Sequence, residues 1–439
     1  VVANIDYAQK SADVAQTTRY YNQTGIALNE IVLTLEANDS PEVFQMGQVR
    51  LANQDMAYTL DNNRLTIALP EPLQANCEVV LDMTFRANPP QIGASISAYR
   101  GYYGYSERQL NLGYWLPALA YHDGEKWVTH EPTTIGEQIV LEQAEWDVVL
   151  NITGASGDLV VAAPADGEKS GENQWHYVFH GGRDFTVSMS ENYRVLAQTT
   201  TSGVLIEFYT FADSVRSTAE GYLDGGQHAL DEAVRAFQRY EAIFGLYPFK
   251  RLALVQGDFP DGMEFSALAF VSTNWFYKWE GGTDNFLTVI TVHEVAHQWW
   301  YAQVGNDAAL VPWLDEALAT YSEYIYYETF YPELRDWWWS FRVGYYNPQG
   351  NVDSTVYEFA SVRDYINAVY LRGVQMLQNL RVDIGDVAFF TLLAQYAQRA
   401  NGTIANSDTF WSLLPSEAYI ASQDTRGQFF RDPSVGDGN

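Results

Sequence analysis

The 439 residues carry 25 Lys and Arg against 55 Asp and Glu, a formal charge of −30, and 47% are hydrophobic. That surface repels nucleic-acid backbones and anionic lipid headgroups, and the apolar content excludes a disordered chain. The length implies two or three domains, and Cys77, the only cysteine, can form no internal disulfide.

No apolar run reaches the roughly eighteen residues of a membrane span. A start at Val1 instead of Met is what removal of a leader leaves. Export, extracellular or periplasmic, is therefore expected, with a cytoplasmic location left open.

Up to about residue 200 the apolar pattern has period two. Leu81, Met83 and Phe85 alternate with Asp82, Thr84 and Arg86, and Trp146, Val148 and Leu150 repeat the pattern. Turn clusters NPP (88–90) and APADGEKSGEN (163–173) separate these runs, which predicts an antiparallel β domain over 1–200. After TTTSG comes one more strand, VLIEFYTF; then Leu230, Ala233, Val234, Phe237, Tyr240 and Phe244 recur at helical spacing, stopped by Gly245 and Pro248. Residues 201–418 read as a second, mainly helical domain and 419–439 as a loose tail. The fold class is α+β, multidomain.

Within the helical half, FLTVITVHEVAHQWWYAQVG has no Pro or Gly before Gly305 and has Asp284 or Asn285 to cap its start. On a helix, residues four apart share a face about 6 Å apart along the axis. His293 and His297 can therefore reach one ion. Glu294, rotated about 100° from His293, can face a water at that ion without being a ligand. VPWLDEALATYSEY opens another helix near Pro312 and offers Glu316, eighteen residues beyond His297, as a third ligand. Two imidazoles and one carboxylate leave a zinc ion an open position, the catalytic arrangement, whereas structural zinc favours cysteines. Asp315 reads as an exposed helix-start carboxylate or a hydrogen-bond acceptor behind the ligands.

These residues resemble a known family. HEVAHQWW followed by WLDEALATY is similar to the gluzincin zinc aminopeptidases, the aminopeptidase N and leukotriene hydrolase type, whose pattern is HExxH, eighteen residues, then Glu. The resemblance implies a saddle-shaped β domain, a thermolysin-like catalytic domain, and one zinc ion on His293, His297 and Glu316, with Glu294 as general base. It spans most of the chain, strongly from about 204 to 415, with no counterpart of the large C-terminal helical domain of many members.

The same resemblance assigns the substrate contacts. YLRG (370–373) is similar to the family's YxKG, making Tyr370 the transition-state donor, with Arg372 in place of the usual lysine. DGMEF (261–265) resembles GAMEN. Glu264 then binds the substrate's free α-amine and Gly262 and Met263 border the substrate, while Gly262 and Phe265 depart from the usual Ala and Asn. A second amine ligand is expected from the β domain, where YSERQLNLGYWLP offers Gln109 with Glu107 competing. The implied activity is release of the N-terminal residue from peptides. The Phe265 departure leaves open an endopeptidase or another hydrolase on this scaffold, and a silent binding protein is the reading from a different class. WWW (337–339) reads as a packed surface, and His176 and His180, on one strand face, as ordinary surface histidines.

Overall fold

The computed structural model describes residues 1–38, 42–93, 100–219, 221–260 and 262–436. In the first half an eight-stranded sheet and two four-stranded sheets enclose a β core. Ser11–Tyr21 pairs antiparallel with Glu78–Ala87, and Ala144–Thr153 pairs antiparallel with Gln174–Gly182. The period-two pattern is what these pairings use: Leu81, Met83, Phe85, Val148 and Leu150 all point into the core.

The second half is built on a five-stranded sheet whose successive strands are Arg194–Thr199, Leu205–Thr210, Arg251–Gly257, Leu268–Ser272 and Gly262–Phe265. Arg194–Thr199, which the pattern along the chain groups with the first half, is hydrogen-bonded into this second sheet. Gly262–Phe265 lies antiparallel at its edge. Helix α1 (Gly225–Phe244) is capped by Asp224, whose side chain accepts from the Gln227 N–H, and ends at Gly245 with φ 116°, a left-handed position that glycine takes at little cost. Helices α2 (Phe286–Ala296) and α3 (Trp313–Phe330) pack against each other and carry the metal-binding motif. Later come a π-helical turn (Ile366–Leu371) and α4 (Arg372–Ile384). A Cβ at Gly373 would overlap that of Ala317, so glycine there lets α4 lie close against α3.

Two expectations change. Helix α2 stops at Ala296 instead of running on through the motif. Trp299 and Trp300, adjacent in sequence, are both wholly buried, the first donating to the Gly245 carbonyl and the second to Ser322, which one continuing helical face could not provide. The segment read as a loose tail is, over its described residues 419–436, built into the fold: Gln423–Phe429 is helical and packs on α4, Phe430 is buried against Trp313, and Arg426 is buried.

The halves are joined by buried charge. The Arg183 guanidinium donates to the carbonyls of Leu141, Tyr301, Gln303 and Thr403, at 2.6–2.9 Å. Next to it, Asp184 accepts from the Ser266 N–H and the Tyr301 hydroxyl. A buried cation satisfied this fully holds the two halves in one seating.

Candidate active site

The Asn285 side chain caps α2 by accepting from the Thr288 N–H. His297 stands just past the last turn with helical φ −62° and ψ −12°, so the four-residue spacing to His293 keeps its helical geometry. The two Nε2 atoms lie 3.1 Å apart, and Glu316 Oε2, from the first turn of α3, lies 3.3 Å from one and 3.6 Å from the other. Bonds of about 2.0–2.1 Å at the tetrahedral angle put ligand atoms about 3.3 Å apart. The triangle is therefore zinc-sized. Its other atoms are arranged to match. His293 Nδ1 meets Glu323 Oε1 at 2.9 Å and His297 Nδ1 meets the Trp300 carbonyl at 2.9 Å, contacts that turn both Nε2 lone pairs inward. Glu316 Oε2 is buried without a hydrogen-bond donor, as a ligand oxygen would be.

Glu323 is itself held. It accepts from the Arg342 guanidinium and from Trp338 Nε1, so one member of the WWW run supports the metal site and is wholly buried. Burial favours the neutral imidazole, but the neighbouring Glu316 and Glu323 carboxylates prevail and raise His293 to about 9. Burial pushes the Glu294 carboxyl up to about 8 against the pull of His293 and His297. A divalent cation at the triangle displaces such protons.

The triangle opens into a cavity of about 400 Å³, enough for a short peptide segment. Glu294 borders it, with one carboxylate oxygen unpartnered. A Cβ at Gly262 would overlap that carboxylate, so the missing methyl relative to the usual Ala leaves the space that Glu294 fills. Tyr370 lies on the π-helical turn and lines the cavity, its ring stacked parallel to His293 at 6.1 Å. Burial and the Glu316 charge push its hydroxyl well above the usual phenol range, so it stays a donor. Residues five apart on an α-helix point about 140° away from each other. The π turn, with hydrogen bonds five residues apart, brings Tyr365 and Tyr370 onto one wall of the cavity.

Gly262, Met263 and Glu264 line the cavity from the edge strand; Asp261 lies outside the described residues. Phe265 does not line it. Its ring is wholly buried between Tyr102 and Tyr114, where Gly113 makes room: a Cβ there would sit 2.7 Å from Phe265 Cζ. The departure from Asn serves the contact between halves.

Gln109 is not at the cavity. Its amide donates to the Gln256 carbonyl and to the Tyr193 hydroxyl, and its oxygen accepts from the Asp258 N–H and from Asn111, so every polar atom is already used. From the β half it is Glu137, of the TTIGEQ loop, that lines the cavity. Oxygens of Glu137, Glu264 and Glu316 lie within 4.8 Å of one another. Burial and the Glu264 charge hold the Glu137 carboxyl well above the usual range, as expected of a cluster made to receive a cation. Asp315 is buried, not exposed, and accepts from the Glu316 N–H at 2.7 Å. Arg372 points elsewhere, over Phe429 and toward Gln375. His176 and His180 pair with Asp147 and Glu145 on the sheet surface.

Residues 228–426 match the peptidase family M1 domain. That stretch is similar to M1 peptidase domains. It is similar to endoplasmic reticulum aminopeptidase 1 of Homo sapiens, 26% identical over 260 residues, covering 53% of this chain and 26% of that protein. Against aminopeptidase M1-D of Oryza sativa subsp. japonica it is 23% identical over 212 residues, covering 45% and 24%. The chain thus spans about a quarter of the length of the curated relatives it matches. Among solved structures, the M1 zinc metallopeptidase from Deinococcus radiodurans superposes with TM-score 0.68 at 18% identity, covering 98% of this chain and 92% of that one. A mutant of that protein bound to the substrate Tyr-Ser-Ala gives TM-score 0.69 at 16% identity with the same coverage. The M1 fold therefore extends over both halves, and His293, His297 and Glu316 form the HExxH–Glu zinc site of that domain.

Sequence reading missed Glu137, Glu323, Arg342 and Tyr365. Glu323, seven residues or two turns after Glu316 on α3, stands on the same helical face and was open to discovery by spacing. Glu137 gave no such signal, because nothing local marks a loop carboxylate as destined for a cavity 127 positions upstream of Glu264 in the chain.

Proposed function

We propose that the protein is a zinc-dependent aminopeptidase that removes the first residue from peptides with a free N-terminus. The observation that carries this reading is the pair of carboxylates beside the metal triangle, half-buried Glu137 and buried Glu264. Two neighbouring acids facing one cavity, one of them buried, call for a cation, and the α-ammonium of a peptide is a cation of the right size. Peptide binding by the Deinococcus structure supports the substrate class.

What zinc supplies when bound is Lewis acidity, which acidifies water and polarises a carbonyl. Glu294 accepts the proton of the attacking water as oxygen adds to the first peptide carbonyl. The Tyr370 hydroxyl donates to the carbonyl oxygen as negative charge grows there. Glu294 returns the proton to the leaving nitrogen, the C–N bond breaks, and a free amino acid and a shortened peptide remain. Glu137 and Glu264, by fixing the amine, leave room for one residue before the bond that breaks. An endopeptidase reading drew its support from Phe265, whose ring is turned away from the cavity.

The test is a panel of aminoacyl 4-nitroanilides and short peptides, free and N-acetylated, with and without a zinc chelator. Hydrolysis of the free forms alone, abolished by the chelator and restored by zinc, is expected. Equal cleavage of the acetylated forms would establish an endopeptidase, and no turnover of any substrate would leave a binding protein.

A further inference from the structure

The motif that carries two of the metal ligands continues past His297 with a glutamine that the steps above do not use. Gln298 is wholly buried, and its side chain reaches across to the edge strand of the five-stranded sheet. Its amide nitrogen donates to the Phe265 carbonyl at 3.1 Å, and its amide oxygen accepts from the Ala267 N–H at 3.0 Å and from the Tyr247 hydroxyl at 3.2 Å. The two backbone groups bracket Ser266 in the tight turn that joins Gly262–Phe265 to Leu268–Ser272. Ala267 stands there at φ 57°, a left-handed position that is costly for alanine and persists where neighbours hold it. The strand lies at the edge of its sheet, so its position depends on contacts from outside the sheet as well. From the first half, Asp184 accepts from the Ser266 N–H and the Arg183 N–H donates to the Ser266 hydroxyl. From the second half, the clamp is Gln298.

Glu264 directly precedes Phe265, and His297 directly precedes Gln298. One buried hydrogen bond thus joins the neighbour of an amine-facing carboxylate to the neighbour of a metal ligand. We propose that Gln298 is a positioning residue that sets the span between Glu264 and the metal triangle, and with it the length of chain that fits between a held amine and the reacting bond. This inference rests on the aminopeptidase reading for the amine. It concerns a property of neither end alone: a ligand that touches only the amine end is indifferent to the span, while one that touches both ends reports it.

The experiment is calorimetric and needs no turnover. Zinc-loaded protein, with and without Gln298→Met, is titrated with L-leucinol, whose amine and hydroxyl sit on adjacent carbons, and with 3-methylbutylamine, the same skeleton without the hydroxymethyl group. In the parent, leucinol should bind the tighter by about tenfold, the worth of one added polar contact. Gln298→Met should weaken leucinol about tenfold and 3-methylbutylamine less than twofold, with zinc content unchanged by elemental analysis. A glutamine with a purely structural role would lower the melting temperature and leave the difference between the two amines intact. If Gln298→Met does not fold, Gln298→Glu, equal in length and lacking the amide donor to Phe265, carries the same comparison. Equal weakening of both amines, no weakening of either, loss of zinc, or a parent that binds the two alike would each overturn the assignment. The aminopeptidase reading is judged separately by anilide hydrolysis. A chain that turns over anilides while Gln298→Met leaves both affinities unchanged sinks only this inference; one that shows the amine pattern without turnover sinks only the other.

Discussion

The metal end and the proposed amine end of the cavity are built in opposite ways. The metal end draws its ligands from two neighbouring helices, and each histidine has a supporting contact within the same half: Glu323 behind His293, the Trp300 carbonyl behind His297. The amine end is shared. Glu264 comes from the edge strand of the second half, Glu137 from a loop of the first, and Arg183 and Asp184 hold those halves together. Chemistry is thus placed on rigid local structure, while the choice of substrate is placed where two larger pieces meet. If so, damage at the metal end should act on turnover or metal content, and damage at the amine end on discrimination between free and blocked substrates.

The sharpest way to break that division is Glu294→Gln. It should lower kcat about a thousandfold with zinc content unchanged by elemental analysis; full turnover would remove Glu294 as the base. Next is Glu137→Gln, which should lower kcat/KM for free-amine substrates about 10- to 100-fold, the worth of one charge-assisted hydrogen bond. Zinc content should again be normal, and an unchanged ratio of free to acetylated substrate would transfer the amine site elsewhere. Glu323→Gln should weaken zinc binding about 10- to 100-fold, read by competition with a chelator, and unaltered affinity would mean that His293 needs no orienting partner. The smallest effect on function is expected from Gln109→Leu. It should cost about 1–3 kcal/mol of stability in a denaturant titration, because the Tyr193, Gln256 and Asp258 groups lose their partner. KM should not move; a raised KM would return Gln109 to the amine site.

What could be read from sequence follows the same division. His293, His297 and Glu316 were legible because a helix turns fixed spacing into fixed direction, so a pattern of residue types is already a pattern in space. The β half was legible as alternation, down to which side of the strand Leu81, Met83 and Phe85 occupy. Glu137 was not, and Gln109 stood in for it, because a loop carries no period and the docking of two domains is decided by surfaces that no short window contains. Arg194–Thr199 was grouped with the wrong sheet for a related reason: a strand's pattern says that it pairs, not with whom. The π turn was invisible because its residues, INAVYL, satisfy an α-helical face just as well until Tyr365 and Tyr370 must both enter one cavity.

The four carbonyl contacts of Arg183 have a consequence for accuracy. The grip on a peptide's free end is fastened partly to one half of the molecule and the cutting point wholly to the other, so the span between them is only as constant as that joint. On the proposed activity, loosening it would make the count of residues before the cut less constant, with dipeptides released among single amino acids.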